Sequence, residues 1–216
     1  MTDPERRTQP RDLAAARLAA SWLLSYPDSA LLSKLDQIAA VVAELPEPTG
    51  QPLAVFLQHL NQTSLRQMQE HYVAIFDMRR RACPYLSYWS DGDTRNRGAG
   101  ILRFKQAYQD AGYEVSDAEL PDHIAVVLEF AAIGEPVTGD ALLCEHAHAI
   151  GLLRDALTKM GSVYVHVLDS VVATLPAPTP EVEERMAQIA ATGPPGEQVG
   201  LPGFSIQELH TIGARR

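Results

Sequence analysis

The chain has 216 residues, 46% of them hydrophobic, and its 18 lysines and arginines against 27 aspartates and glutamates leave a formal charge of −9. That length supports one domain with a sizeable buried core. The negative balance argues against a nucleic-acid binder, which needs a concentrated positive field to displace condensed counterions, and it suits a basic peptide partner or plain solubility.

The N-terminus, Met-Thr-Asp-Pro-Glu-Arg-Arg, lacks the apolar stretch of a signal peptide. The Arg6-Arg7 pair runs into Thr-Gln-Pro-Arg-Asp, which is no export signal. No apolar run approaches the ~20 residues of a membrane span, so a cytoplasmic protein is expected. Leu13, Ala16, Leu18, Leu23 and Leu24 recur at helical spacing until Pro27 ends the element. A second helix is expected over 29–45, closed by Pro46 and Pro48, and a third over 52–60. Ser64 with Gln67 forms a capping box for a fourth, which carries Leu65, Met68, Tyr72, Ile75 and Phe76 on one face. Pro84 introduces an irregular aromatic segment, Asp91-Gly92-Asp93 reads as a turn, and a helix over 94–111 follows.

Ser116 with Glu119 is a further capping box, with Val115 and Leu120 at staple positions. Pro121 interrupts or restarts this helix before 123–133, which is apolar all round and therefore central. The stretch 140–174 is the longest periodic one. Thr179, Pro180 and then Glu181, Glu183 and Glu184 give an N-cap, an N1 proline and an acidic first turn. Residues 193–203 are a Pro/Gly linker, beyond which Ser205 and Glu208 form another box and Phe204, Ile206, Leu209 and Ile212 are available for docking. No run of alternating β-branched residues competes with helix. The fold class is all-α: a single-domain helical bundle over 1–192 with a flexible tail over 193–216.

No constellation carries catalysis. Cys83 and Cys144 make no disulfide framework. Cys144 and His148, four apart with His146 nearby, supply two ligands without a third, a weak zinc signal. Arg97-Gly98-Ala99-Gly100 has neither the spacing nor the preceding strand of a dinucleotide site. Asp91 and Asp93 fall short of a calcium loop and read as helix caps. Tyr72 and Phe76, one turn apart beside Asp77 and Arg79-Arg80-Arg81, suit either a core or a groove wall with polar ends, the form that takes an amphipathic helix. Tyr85, Tyr88 and Trp89 suit a recognition surface as well as a loop covering a core. Asp122 is placed to cap a helix with His123 in its first turn.

Residues 72–135 carry the most information. Tyr72 to Asp77 followed by Arg79 and Arg80, the run Ser87-Tyr88-Trp89-Ser90-Asp91-Gly92-Asp93-Thr94-Arg95, the run Leu102-Arg103-Phe104-Lys105, and Leu120-Pro121-Asp122-His123 leading into Leu128-Glu129-Phe130 together resemble the NarJ-type nitrate reductase maturation chaperones, also called the delta subunit of that enzyme. Cys83-Pro84 and Trp89-Ser90 vary on the family pattern. The resemblance implies a cytoplasmic, all-helical, non-enzymatic protein that needs no cofactor or metal of its own. Its implied partner is the N-terminal segment of the apo catalytic (alpha) subunit, held until the molybdenum cofactor is inserted, with cofactor-synthesis proteins as candidate further partners. The peptide-binding residues expected on these grounds are Tyr72, Phe76, Asp77, Arg79, Arg80, Tyr85, Asp122 and His123, the Asp-His pair resting on the resemblance. The alternatives are a chaperone of the TorD or DmsD type for a related molybdoenzyme, and a small metal-dependent enzyme.

Overall fold

Local end signals set most of the helix boundaries. In the computed structural model, which describes residues 9–116 and 118–195, the order is α1 (Pro10–Leu24), α2 (Ser29–Ala43), α3 (Glu47–Asn61), α4 (Leu65–Tyr72), α5 (Leu86–Asp91), α6 (Asn96–Asp110), α7 (Ile124–Glu129), α8 (Pro136–Glu145), α9 (Ala147–Met160), α10 (Val165–Ala173) and α11 (Pro180–Thr192). A π turn, Val73–Asp77, continues α4 and another, Phe130–Gly134, continues α7. The described residues contain no strand, only one isolated antiparallel bridge between Tyr85 and His123. The expected all-α bundle is what forms. The expected tail segment 204–212 lies outside the described residues.

The core is laid around α1 and α10. Helix α1 packs on α7 and its continuation, and α10 packs on α3, α9 and α1. Ala16, Ala20, Leu53, Phe56, Leu143, Val167 and Leu168 are fully enclosed. The caps at Ser64 and Thr179 form as the sequence indicates, each side-chain oxygen accepting from the N–H three residues on.

Other boundaries differ, for physical reasons. Helix α3 starts at Glu47 rather than Pro52, because Pro48 sits in the first turn where no N–H is required. The aromatic segment after Pro84 is helical from Leu86 to Asp91 and is closed by Gly92 at φ 64°. Thr94, not Asp91 or Asp93, offers its hydroxyl to a backbone N–H at the start of α6. The stretch 140–174 is three helices: α8 begins at Pro136, capped by the Glu135 carboxylate, the chain breaks at His146, and the left-handed Gly161 ends α9. Cys144 and His148 therefore sit on different helices.

The Ser116–Glu119 box is not used. Leu120 precedes a proline, which disfavours helix there, and the next helix waits until Ile124. Leu120 is 42% exposed, so no staple forms. The cap of α7 is His123, whose Nδ1 accepts from the Ala125 N–H at 3.2 Å, and not Asp122.

Candidate peptide-binding site

The site is organised where residues 84–87 cross residues 121–124. The Leu86 N–H donates to the Asp122 carbonyl and the Ile124 N–H to the Pro84 carbonyl, both at 2.9 Å. The Tyr108 hydroxyl donates to the Pro121 carbonyl at 2.8 Å. Asp122 is fully buried, and its Oδ2 accepts from the Ser87 hydroxyl at 2.5 Å and the Ser87 N–H at 3.3 Å. Its Oδ1 is also buried and finds no partner among the described residues. His123 is buried too, and burial lowers its pKa more than Glu119 and Asp122 raise it. With Nδ1 accepting, its proton resides on Nε2. Asp122 and His123 thus lock two chain segments together and present no surface in this conformation.

Glu119 stands at the outer edge of this junction. It accepts from the Tyr85 hydroxyl at 3.1 Å and from the Leu120 N–H at 2.8 Å. Burial first, then the charge of Glu119 and the hydrogen bond to it, push the Tyr85 hydroxyl up. The Tyr85 ring meets His123 edge-on at 5.2 Å and carries the Arg97 guanidinium 5.5 Å above it. The charges of Glu119 and Asp77 both reach the Tyr72 hydroxyl, whose pKa is raised chiefly by burial. Of the expected residues, Tyr85 hydrogen-bonds Glu119, and His123 and Tyr72 feel its charge.

Beyond Glu119 opens a cleft of about 340 Å³ between the end of α6, residues 113–119, and α7 with its π turn. Its apolar lining includes Tyr113, Val115, Val126, Phe130 and Ile133. Its charged residues are Glu114, Glu119 and Glu129, with no lysine or arginine among the described residues. Ile133 is 60% exposed at one end, and the Tyr113 hydroxyl donates to the Gly134 carbonyl at 3.1 Å, tying the loop to the π turn. The sequence marks Val115 and Glu119 only as staple and capping residues and Glu129 and Phe130 only as part of the family pattern, none of them as a binding residue. Residues 113–116, 118 and 119 belong to no regular element, so no period joins them to α7.

Tyr72 and Phe76 are 6% exposed and belong to an aromatic cluster rather than an open wall. Their rings lie 4.7 Å apart, and Tyr164 meets them at 5.9 and 5.0 Å. Tyr26, 49% exposed, covers the Tyr72 ring. Asp77, Arg79 and Arg80 are exposed, and the Arg80 charge reaches Tyr88. Burial pushes the Cys83 thiol up to about 11, the opposite of an activated nucleophile. No group of three His, Cys, Asp or Glu among the described residues is placed to hold a metal. His146 Nδ1 lies 3.0 Å from the Leu142 carbonyl and His148 Nε2 lies 3.1 Å from the Ser90 hydroxyl. Among the described residues no helix is long and apolar enough to cross a membrane.

A family model described as the nitrate reductase delta subunit matches residues 42–169. The chain belongs to that family. The matched span holds the junction and the acidic cleft and ends short of α11. Among curated delta-subunit relatives, the "Probable nitrate reductase molybdenum cofactor assembly chaperone NarJ" of Bacillus subtilis is 30% identical over 158 residues, 73% of this chain and 86% of that one. The E. coli K12 protein named "Nitrate reductase molybdenum cofactor assembly chaperone NarJ" is 28% identical over 183 residues, 81% of this chain and 76% of that one. The "Nitrate reductase-like protein NarX" of Mycobacterium tuberculosis is 37% identical over 155 residues, 72% of this chain, and the chain spans only 23% of its length. A putative redox enzyme maturation protein from Archaeoglobus fulgidus shares the fold, with a TM-score of 0.56 at 23% identity over 77% of this chain and 93% of that one.

Proposed function

We propose that the protein is an assembly chaperone for a nitrate reductase. It holds the N-terminal segment of the apo catalytic subunit until the molybdenum cofactor is inserted, and it takes no part in the finished enzyme. The cleft beside Glu119 is the seat of that segment. The observation that carries this reading is the pairing of an apolar lining with three glutamates and, among the described residues, no cation. Such a surface complements a short basic amphipathic helix, whose apolar side buries area while its cations meet the rim. The cofactor belongs to the client, and the chaperone makes and breaks no bond. Release follows from differential affinity: a client reshaped by cofactor insertion offers its N-terminal segment less well, and binding shifts accordingly.

Within this reading Asp122 and His123 hold the strand-like crossing that fixes Glu119 and Tyr85, so they serve the site without touching the peptide. Tyr72 and Phe76 support it from behind, and Asp77, Arg79 and Arg80 extend the contact surface past the junction. The family relatives named as NarJ chaperones support the client class.

Calorimetric titration of the full chain with a peptide from the N-terminus of the catalytic subunit of its own organism's nitrate reductase tests this. Saturable binding is expected, weakened about tenfold or more by a Glu119→Lys, Glu129→Lys variant, in keeping with the cost of like-charge juxtaposition. Binding of equal strength in that variant would overturn the placement. No binding at all would overturn the choice of client segment.

A further inference from the structure

A second cleft, of about 410 Å³, opens between α9 and the C-terminal end of α11. Trp89, Leu152, Ala156, Met160 and Ile189 supply its apolar lining, and its charged residues are Arg81, Lys159 and Asp155. The described chain ends on its rim. Gly193 and Pro194 line the cleft, and Pro195 is laid against Gly92 so closely that a Cβ there would stand 1.6 Å from the Pro195 carbonyl oxygen. The exit point of the C-terminal segment is thereby fixed on this face. Residues 196–216 follow, 21 in number, and lie outside the described residues.

We infer that the cleft between α9 and α11 is the docking site of this chain's own residues 204–212. Three observations converge on that occupant. The segment concentrates Phe204, Ile206, Leu209 and Ile212, enough apolar area to cover a cleft of this size. The connection from Gly196 to Gly203 can span at most ~29 Å, at ~3.6 Å per residue, so the face it has just left lies well within its reach. A tether of this kind also supplies an effective concentration on the order of millimolar, which makes a weak intrinsic affinity sufficient.

Charge selects between the two clefts. Residues 196–212 carry Glu197 and Glu208 and no lysine or arginine, and Arg215 and Arg216 follow beyond the docking segment. The cleft beside α7 has three glutamates and, among the described residues, no cation, which repels such a segment. The cleft beside α11 has two cations against one carboxylate. The same property that would draw a basic client helix to the first cleft sends the segment 204–212, which carries Glu208 and no lysine or arginine, to the second. Docked there, the segment closes an apolar opening under a helix that buries only one of its own side chains, Ile189, and leaves the client cleft free.

The test compares the full chain with a full-length Phe204→Asp, Leu209→Asp variant, substituted outside the described fold so that its folding is not at issue. Methyl NMR of Met160 and Ile189 is read beside iodide quenching of Trp89, with Trp22→Phe introduced in both proteins. Displacement of the segment is expected to shift both methyl signals and to raise the quenching of Trp89. Unchanged methyl signals and quenching would overturn the proposal. Shifts at Val126 and Ile133 instead would also overturn it, because they would place the segment in the acidic cleft.

Discussion

The two clefts are of similar size and differ in how their walls are held. The acidic cleft rests on the π turn after α7, and α8 approaches that turn backbone to backbone: a Cβ on Gly139 would lie 2.4 Å from the Ala131 Cα. The second cleft is walled by α11, which touches α9 through the flexible end of Met186, the atom a Cβ on Gly151 would meet at 2.5 Å. One wall is set by main chain and cannot give. The other is set by a thioether that can rotate away. A preformed acidic cleft suits capture of a helix from another chain, since little ordering cost is left to meet on binding. An adjustable cleft beside the chain's own exit suits a tethered segment.

The largest effect expected lies in the buried aromatic cluster rather than in either cleft. Phe76→Ala empties part of the aromatic cluster with Tyr72 and Tyr164 and should cost about 3–5 kcal/mol of unfolding free energy. Urea denaturation measures it, and a loss under 1 kcal/mol would return Phe76 to the surface. The glycine pair then separates the walls. Gly139→Ala forces backbone apart and should cost about 1–3 kcal/mol. Gly151→Ala displaces only the Met186 methyl and replaces a mid-helix glycine, so it should fall between neutral and about 1 kcal/mol stabilising. Equal costs at the two positions would erase the distinction between a rigid and an adjustable wall.

Acid should act on both regions. Burial lowers the pKa of His123 at the junction and of His146 and His148 near α11, the last to about 4 through burial first, then Arg185 and His146. Each is depressed below its ordinary value of 6.5, so between the two values the unfolded chain binds more protons than the folded one. Stability is therefore full above pH 6.5 and falls as pH drops towards 4. The urea midpoint followed from pH 7.5 to 4.5 checks this, and His148→Gln should flatten the slope. A midpoint that rises on acidification would refute the sign. The smallest stability effect belongs to Glu129→Lys: the site is exposed, and the change in unfolding free energy should stay within about 0.5 kcal/mol, whereas Glu119→Lys also gives up the hydrogen bonds from Tyr85 and Leu120. At Glu129, therefore, a loss of peptide affinity can be read as loss of contact.

What the sequence made legible follows from range. Caps at Ser64 and Thr179, the N1 proline of α11 and the apolar run of α1 are decided within one turn and form as read. The Ser116–Glu119 box has the right letters but loses to Pro121, and Glu119 turns instead to Tyr85, 34 residues away. The long periodic stretch over 140–174 hides its breaks because His146 resembles an ordinary helical residue and Gly161 a tolerated one. In the candidate site, Tyr85, Asp122 and His123 do meet, but as a buried crossing. Glu114, Glu119 and Glu129 were invisible as a set, because an irregular loop and a helix bring them to one rim and no spacing records that meeting.

The most direct test of the account is a methyl NMR titration of the full chain with the catalytic-subunit N-terminal peptide. The account predicts saturable shifts at Val126 and Ile133, with Met160 and Ile189 unmoved. Shifts confined to Met160 and Ile189 would contradict it, because the client would then enter beside α11 and the acidic cleft would have no part in binding it.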